Sequence, residues 1–180
     1  WHFIGDADND VGFVFKNNTS SNPYGMAIQF PNEANNDGNQ YFLVCTDSSA
    51  SRLIISNNGN VTNQNGTYGQ ISDQKLKENI TNAKSQWNDI KAVKVRKFNF
   101  KSETGYSTDT HIGVVAQELE SVSPNLVKEV RKDPDPKATD TSTIKSVKYS
   151  VLYMKSVKAL QEAMARIETL EAEVAALKSS

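Results

Sequence analysis

Cysteine is almost missing from this sequence. Cys45 is the one thiol in 180 residues, so no disulfide can form within the chain. A buried, inert thiol is the expectation for it. No apolar run approaches the roughly 20 residues that span a bilayer, and no signal peptide opens the sequence, so membrane insertion is not expected. The chain starts at Trp1 rather than Met, as expected of a piece of something longer. A net charge of −1 argues neither for nor against nucleic acid as a general partner; none is expected.

Basic residues are nearly absent from the first 71 positions. Only Lys16 and Arg52 stand there, against Asp6, Asp8, Asp10, Glu33, Asp37 and Asp47, a local net charge of −4. The remaining positions carry 18 basic and 15 acidic residues, a net +3. Two blocks of opposite charge and different composition read as two functional units with a boundary at Ser72.

The first block also lacks any helical period. Val11-Gly-Phe-Val-Phe15, Gly25-Met-Ala-Ile-Gln-Phe30, Tyr41-Phe-Leu-Val-Cys45 and Arg52-Leu-Ile-Ile-Ser56 read as short strands. Asn17-Asn18, Asn35-Asn36-Asp37-Gly38 and Asn57-Asn58-Gly59-Asn60 read as turns between them. Residues 57–70 read as an extended end. An all-β unit of this size supplies a marginal core and gains stability by oligomerising. Asp6-x-Asp8-x-Asp10 starts like a calcium loop, but Val11 stands where the turn glycine belongs and no Glu closes it. No metal and no cofactor are expected. The sequons at Asn17, Asn18, Asn60, Asn65 and Asn79 matter only in a secretory pathway.

The second block is α+β. Trp87, Ile90 and Val93 share one helical face. A strand over 93–100 follows, whose apolar phase slips after Val95 and so predicts a bulge near Arg96-Lys97. His111-Ile-Gly-Val-Val-Ala116 reads as a strand, and 117–122 as a short helix stopped by Pro124. Leu126-Val-Lys-Glu-Val130 and Ile144-Lys-Ser-Val-Lys-Tyr149 flank a Pro/Asp/Lys loop, giving a hairpin arm. Leu160, Ala163, Ile167, Leu170, Val174 and Leu177 then follow the 3-4 spacing of a coiled-coil seam. With 160, 167 and 174 at a, the g–e pairs between parallel neighbours are Arg166–Glu171 and Glu173–Lys178, both attractive. The seam residues lean towards two strands, whereas Arg166-x-x-x-x-Glu171 is similar to a pattern of short trimeric coils. The alternative is a single amphipathic helix packed on its own domain.

Between the blocks lies Ile71-Ser72-Asp73-Gln74-Lys75-Leu76-Lys77-Glu78-Asn79-Ile80. A serine and a lysine can form a nucleophile–base pair without histidine once the lysine is neutral. Taken alone, five-residue spacing is equally that of a solvated serine and a surface lysine.

The longer pattern is more specific. Ser72-Asp-x-x-Leu-Lys77-x-Asn79-Ile, then His111-Ile-Gly-Val-Val-Ala-Gln117-Glu118, then Lys148-Tyr149 running into heptads, resembles one family over residues 72–180. It is similar to the C-terminal intramolecular chaperone of phage tail spikes and tail fibres, the endosialidase-type self-cleaving domain. The resemblance implies a multi-domain, intertwined homotrimer: an all-β fibre end over 1–71, an α+β chaperone body with hairpin arm over 72–149, and a coiled-coil helix over 150–178. Leu160, Ile167, Leu170, Val174 and Leu177 would form the trimer seam.

The resemblance further implies a single-turnover serine endopeptidase acting in cis. The cut would fall between Ile71 and Ser72, with Ser72 as nucleophile and Lys77 as base. Asp73, Asn79, His111, Gln117 and Glu118 are candidate supporting residues, among them oxyanion donors. A fibre-tip role places 1–71 in the virion, against a host-surface receptor or glycan, with the chaperone acting in the host cytoplasm before release. One alternative is a non-cleaving structural trimerisation domain of a fibre or adhesin. Another is a relative of myelin regulatory factor, which would place a membrane segment after the coil.

Overall fold

The computed structural model describes residues 18, 25–30, 36–133 and 138–179. The chain divides into two compact units, residues 1–69 with 101–107, and residues 70–100 with 108–180.

In the first unit β1 (Tyr41–Thr46), β2 (Ser51–Ser56) and β3 (Val61–Asn63) form an antiparallel meander. Asp47 shapes the β1–β2 turn. Its carboxylate accepts from the Ser49 and Ala50 N–H groups at 2.8 and 3.0 Å and from Arg52 Nε at 2.5 Å. The β2–β3 turn needs Gly59, whose φ of 83° lies in the left-handed region. Strand β3 falls inside 57–70, where an extended end was expected, because Asn57–Asn60 closes a second hairpin there. Residues 25–30 form no strand, although Phe30 stacks on Phe42 with centroids 4.8 Å apart. The strand expected over 11–15 and the acidic turn at 6–10 lie outside the described residues. Cys45 is exposed, not buried. It sits on a thin sheet with no second layer among the described residues of this unit.

The second unit contains the buried apolar core of the described residues. Leu119, Leu126 and Leu152 form it, packed by Ile90, Val93, Val114, Val127 and Val147. Helix α1 (Trp87–Ala92) is followed by the β4–β5 pair (Arg96–Phe98 and His111–Gly113), then α2 (Ala116–Val122). Next come a single 3-10 turn (Pro124–Leu126), the β6–β7 hairpin (Val127–Arg131 and Thr143–Val147) and α3 (Tyr149–Ser179). The strand expected over 93–100 is only three residues long, and its ladder runs unbroken: Arg96↔Gly113, Lys97↔Ile112, Phe98↔His111. No bulge forms. The apparent phase slip has another cause: Val93 caps the end of α1 and packs on the core, whereas Val95 is exposed. Gly113 allows β5 to approach α3, since a Cβ there would meet Tyr149 Oη at 3.0 Å and the Phe98 ring at 3.4 Å.

Helix α3 carries two stripes. Leu152, Lys155, Ala159, Glu162 and Arg166, spaced three or four apart, turn towards the chain's own body. Lys155 Nζ donates to Asp89 Oδ2 at 2.6 Å, and Ser123 Oγ donates to the same oxygen at 3.1 Å. Glu162 accepts from the Ser85 hydroxyl at 2.6 Å and the Gln86 N–H at 3.1 Å, placing an acid at the start of α1, where the helix dipole favours it. Arg166 lies over the Trp87 ring, 3.9 Å from its centroid. The other stripe carries Leu160, Ile167, Leu170, Val174 and Leu177, all exposed.

Two measurements check this packing. Leu126, 1% exposed, fills the centre of the core. Leu126→Ala should therefore lower the free energy of unfolding by about 2–5 kcal/mol in denaturant titration. Asp89 has its carboxyl held below the usual carboxylate range by the Lys155 hydrogen bond. A group with a depressed folded pKa stabilises above its unfolded value, near 3.9, and that contribution disappears as pH falls through the folded value. Asp89→Asn should therefore flatten the acid limb of the stability profile below about pH 4 and leave its shape near neutrality unchanged.

Candidate active site

The segment between the two blocks is built around one 3-10 turn, Gln74–Leu76. Asp73 starts it by accepting the Lys75 N–H on its side chain at 2.8 Å, a local cap that favours a turn over continued extension. Leu76 N–H donates to the Asp73 carbonyl at 3.1 Å and Lys77 N–H to that of Gln74 at 3.0 Å. Lys77 then leaves the turn in an extended conformation, φ −126° and ψ 145°.

The turn folds the chain back over five residues. As a result Lys77 Nζ donates to Ser72 Oγ at 2.5 Å. This is the contact a nucleophile–base pair requires, at hydrogen-bond distance. Both side chains are exposed, as are all residues from 71 to 85. Ile71 is 83% exposed, Leu76 73% and Ile80 63%, so apolar surface flanks the pair on both sides.

The candidate supporting residues are placed as follows. Asp73 caps the turn and makes no bond to Ser72 or Lys77 through that carboxylate oxygen. Asn79, next along the chain, is the described non-glycine residue with a left-handed φ, 53°. His111 stacks on Phe98 with centroids 5.8 Å apart and meets Phe100 edge-on at 5.2 Å. Glu118 accepts from Arg96 Nε at 3.0 Å and Nη2 at 2.6 Å, a two-pronged bond tying α2 to β4. Arg96 holds the Glu118 carboxyl below its usual range and is itself raised by it. Gln117 is exposed on α2. These contacts give His111 and Glu118 structural work within the β4–β5–α2 corner.

Sequence reasoning missed the anchor behind the segment. Ser85, Gln86 and Trp87 are held by Glu162 and Arg166 of α3, so the chain leaving the Ser72 turn is tied to the long helix. The spacing of 162 and 166 on the helix was visible, but the partner face was not. Among the described residues no cluster of His, Cys, Asp and Glu is arranged to hold a metal ion. No helix among them is long and apolar enough to cross a membrane.

Residues 72–128 match the model of the peptidase family described as the chaperone of endosialidase. The match starts on the serine of the pair and ends within β6, and it bears out the family resemblance read from the motifs. A solved structure is also similar in part, the carboxy-terminal domain of the bacteriophage T5 L-shaped tail fibre with its intramolecular chaperone domain. It shares 12% identity at a TM-score of 0.39, over 68% of this chain and 41% of that one. The chain thus spans less than half the length of that fibre domain. No curated protein matches the chain.

Proposed function

We propose that residues 72–180 are an intramolecular chaperone that gathers three copies of the chain, helps residues 1–71 fold as the end of a phage tail fibre or spike, and then cuts itself away. The observation that carries this reading is the 2.5 Å contact between Lys77 Nζ and Ser72 Oγ, in a segment that starts the family match.

The chemistry needs no cofactor. Ser72 Oγ attacks the Ile71 carbonyl carbon, and an Oγ–C bond forms as the C–N bond to Ser72 breaks. Neutral Lys77 takes the hydroxyl proton and passes it to the departing amine of Ser72. Water then hydrolyses the ester, leaving a carboxylate at Ile71 and Ser72 as a new N-terminus. Each chain turns over once. A lysine becomes neutral only when taken out of water or set beside another cation. Lys77 is exposed in the single chain, so on this reading assembly supplies the cover and times the cut.

Cutting has a physical purpose. Interwoven β trimers depend on contacts between chains and fold slowly. A module that lowers the barrier to folding lowers it equally for unfolding. Its removal leaves the fibre kinetically trapped, as part of the virion. A chaperone that stays attached, a purely structural trimerisation domain, is the second reading; the exposed setting of the Ser72–Lys77 pair in the single chain is the observation on its side.

The experiment is substitution of each member. Ser72→Ala and Lys77→Ala should each slow cutting by about 10²-fold or more, read as intact chain on a denaturing gel after refolding. The uncut Ser72→Ala assembly should unfold faster on heating than the cut fibre. Normal cutting in either variant removes the catalytic assignment, and equal or slower unfolding of the uncut form removes the trapping argument.

A further inference from the structure

The exposed stripe of α3 does not stop at Leu160. Counting back in the same alternation gives Ser156, Tyr153 and Tyr149, so the seam runs unbroken from 149 to 177. Its first part does not lie on a bare helix. Val95 and Ile112 flank it, and together with Tyr149, Tyr153 and Ser156 they line an apolar groove of about 350 Å³ on the body. Ile112 is 74% exposed, Val95 64% and Tyr153 61%, far more than strand and helix residues next to a packed core need be.

We propose that this groove is an interface between copies of the chain, occupied by the first turns of a second copy's α3. The proposal rests on the homotrimer reading above and extends it from the coil to the body. Two features select a second copy as the occupant. Glu173 at g and Lys178 at e attract each other across parallel, in-register helices and would not meet in an antiparallel pair. A helix is rigid at 1.5 Å per residue, so a copy aligned along Leu160–Leu177 must continue some 16 Å past Leu160, over Tyr153 and Tyr149. Leu152 closes the floor of the groove, while Lys155, Ala159 and Glu162 of the body stripe lie outside its lining and leave the space over Tyr149 and Tyr153 open. Arg166 bridges the two surfaces. Its guanidinium face rests on Trp87, and such stacking leaves the edge donors of an arginine available to a carboxylate such as Glu171 of another copy.

The test uses the full chain. Ile112→Glu puts a carboxylate opposite Lys97 in the β4–β5 ladder, a pairing the fold tolerates, while placing charge in the groove. It should raise the concentration for half-association by roughly tenfold or more in light scattering, with far-ultraviolet circular dichroism unchanged. In a second variant, Tyr153→Cys with Cys45→Ser, a short bis-maleimide should link copies in pairs as covalent dimers. Unchanged association of Ile112→Glu, or no cross-link at position 153, overturns the body interface. If Ile167→Glu still dissociates that assembly, the coil alone holds the copies and the homotrimer reading survives. A wild-type chain that stays monomeric at every concentration overturns both.

Discussion

A lysine can take a proton from a serine only after giving up its own. That constraint governs everything proposed for this chain. The 3-10 turn at 74–76 solves the geometric half of the problem by bringing Lys77 Nζ to 2.5 Å from Ser72 Oγ. The electrostatic half of the problem is neutralising the lysine, which requires removal from water or a neighbouring cation. The apolar side chains on either side, Ile71, Leu76 and Ile80, are the surface that would be covered if the copies close over this segment. The single chain sets the position of the pair; on the proposed reading, reactivity waits for assembly.

Helix α3 packs on its own body with one stripe and leaves a second stripe free for the proposed assembly. The stripe through Leu152, Lys155, Ala159, Glu162 and Arg166 docks α1 and the core, using an apolar centre bordered by an ion pair, a capped helix start and a cation over an indole. The stripe through Leu160, Ile167, Leu170 and Val174 remains exposed. The two alternatives open at the level of sequence, a coil or a helix packed on its own domain, therefore do not exclude each other. About three heptads alone would make a weak coil, and on the proposed reading attachment of the first half of α3 to a packed core would lend it rigidity.

Much of this was legible in the residues. The hairpin arm came from two apolar runs around a Pro/Asp/Lys loop, and α1 and α2 came from helical spacing and Pro124. The serine–lysine pair came from a longer pattern rather than from its own spacing. What escaped notice has physical reasons. β3 is three residues long, too short for alternation to show. The bulge near Arg96 was inferred by treating Val95 as a core residue, and it is exposed. Cys45 was assigned to a core that a three-stranded sheet does not provide among its described residues. The contacts that His111 and Glu118 make in the fold were equally hidden. Their observed partners, an aromatic pair and Arg96, are distant in sequence and could not be assigned from it.

The most direct test of the central claim is a denaturing mass measurement on the purified, refolded protein. Scission between Ile71 and Ser72 gives two species, residues 1–71 and residues 72–180 with a free serine amine. A single species with the mass of all 180 residues, in a preparation shown to be assembled, would contradict it.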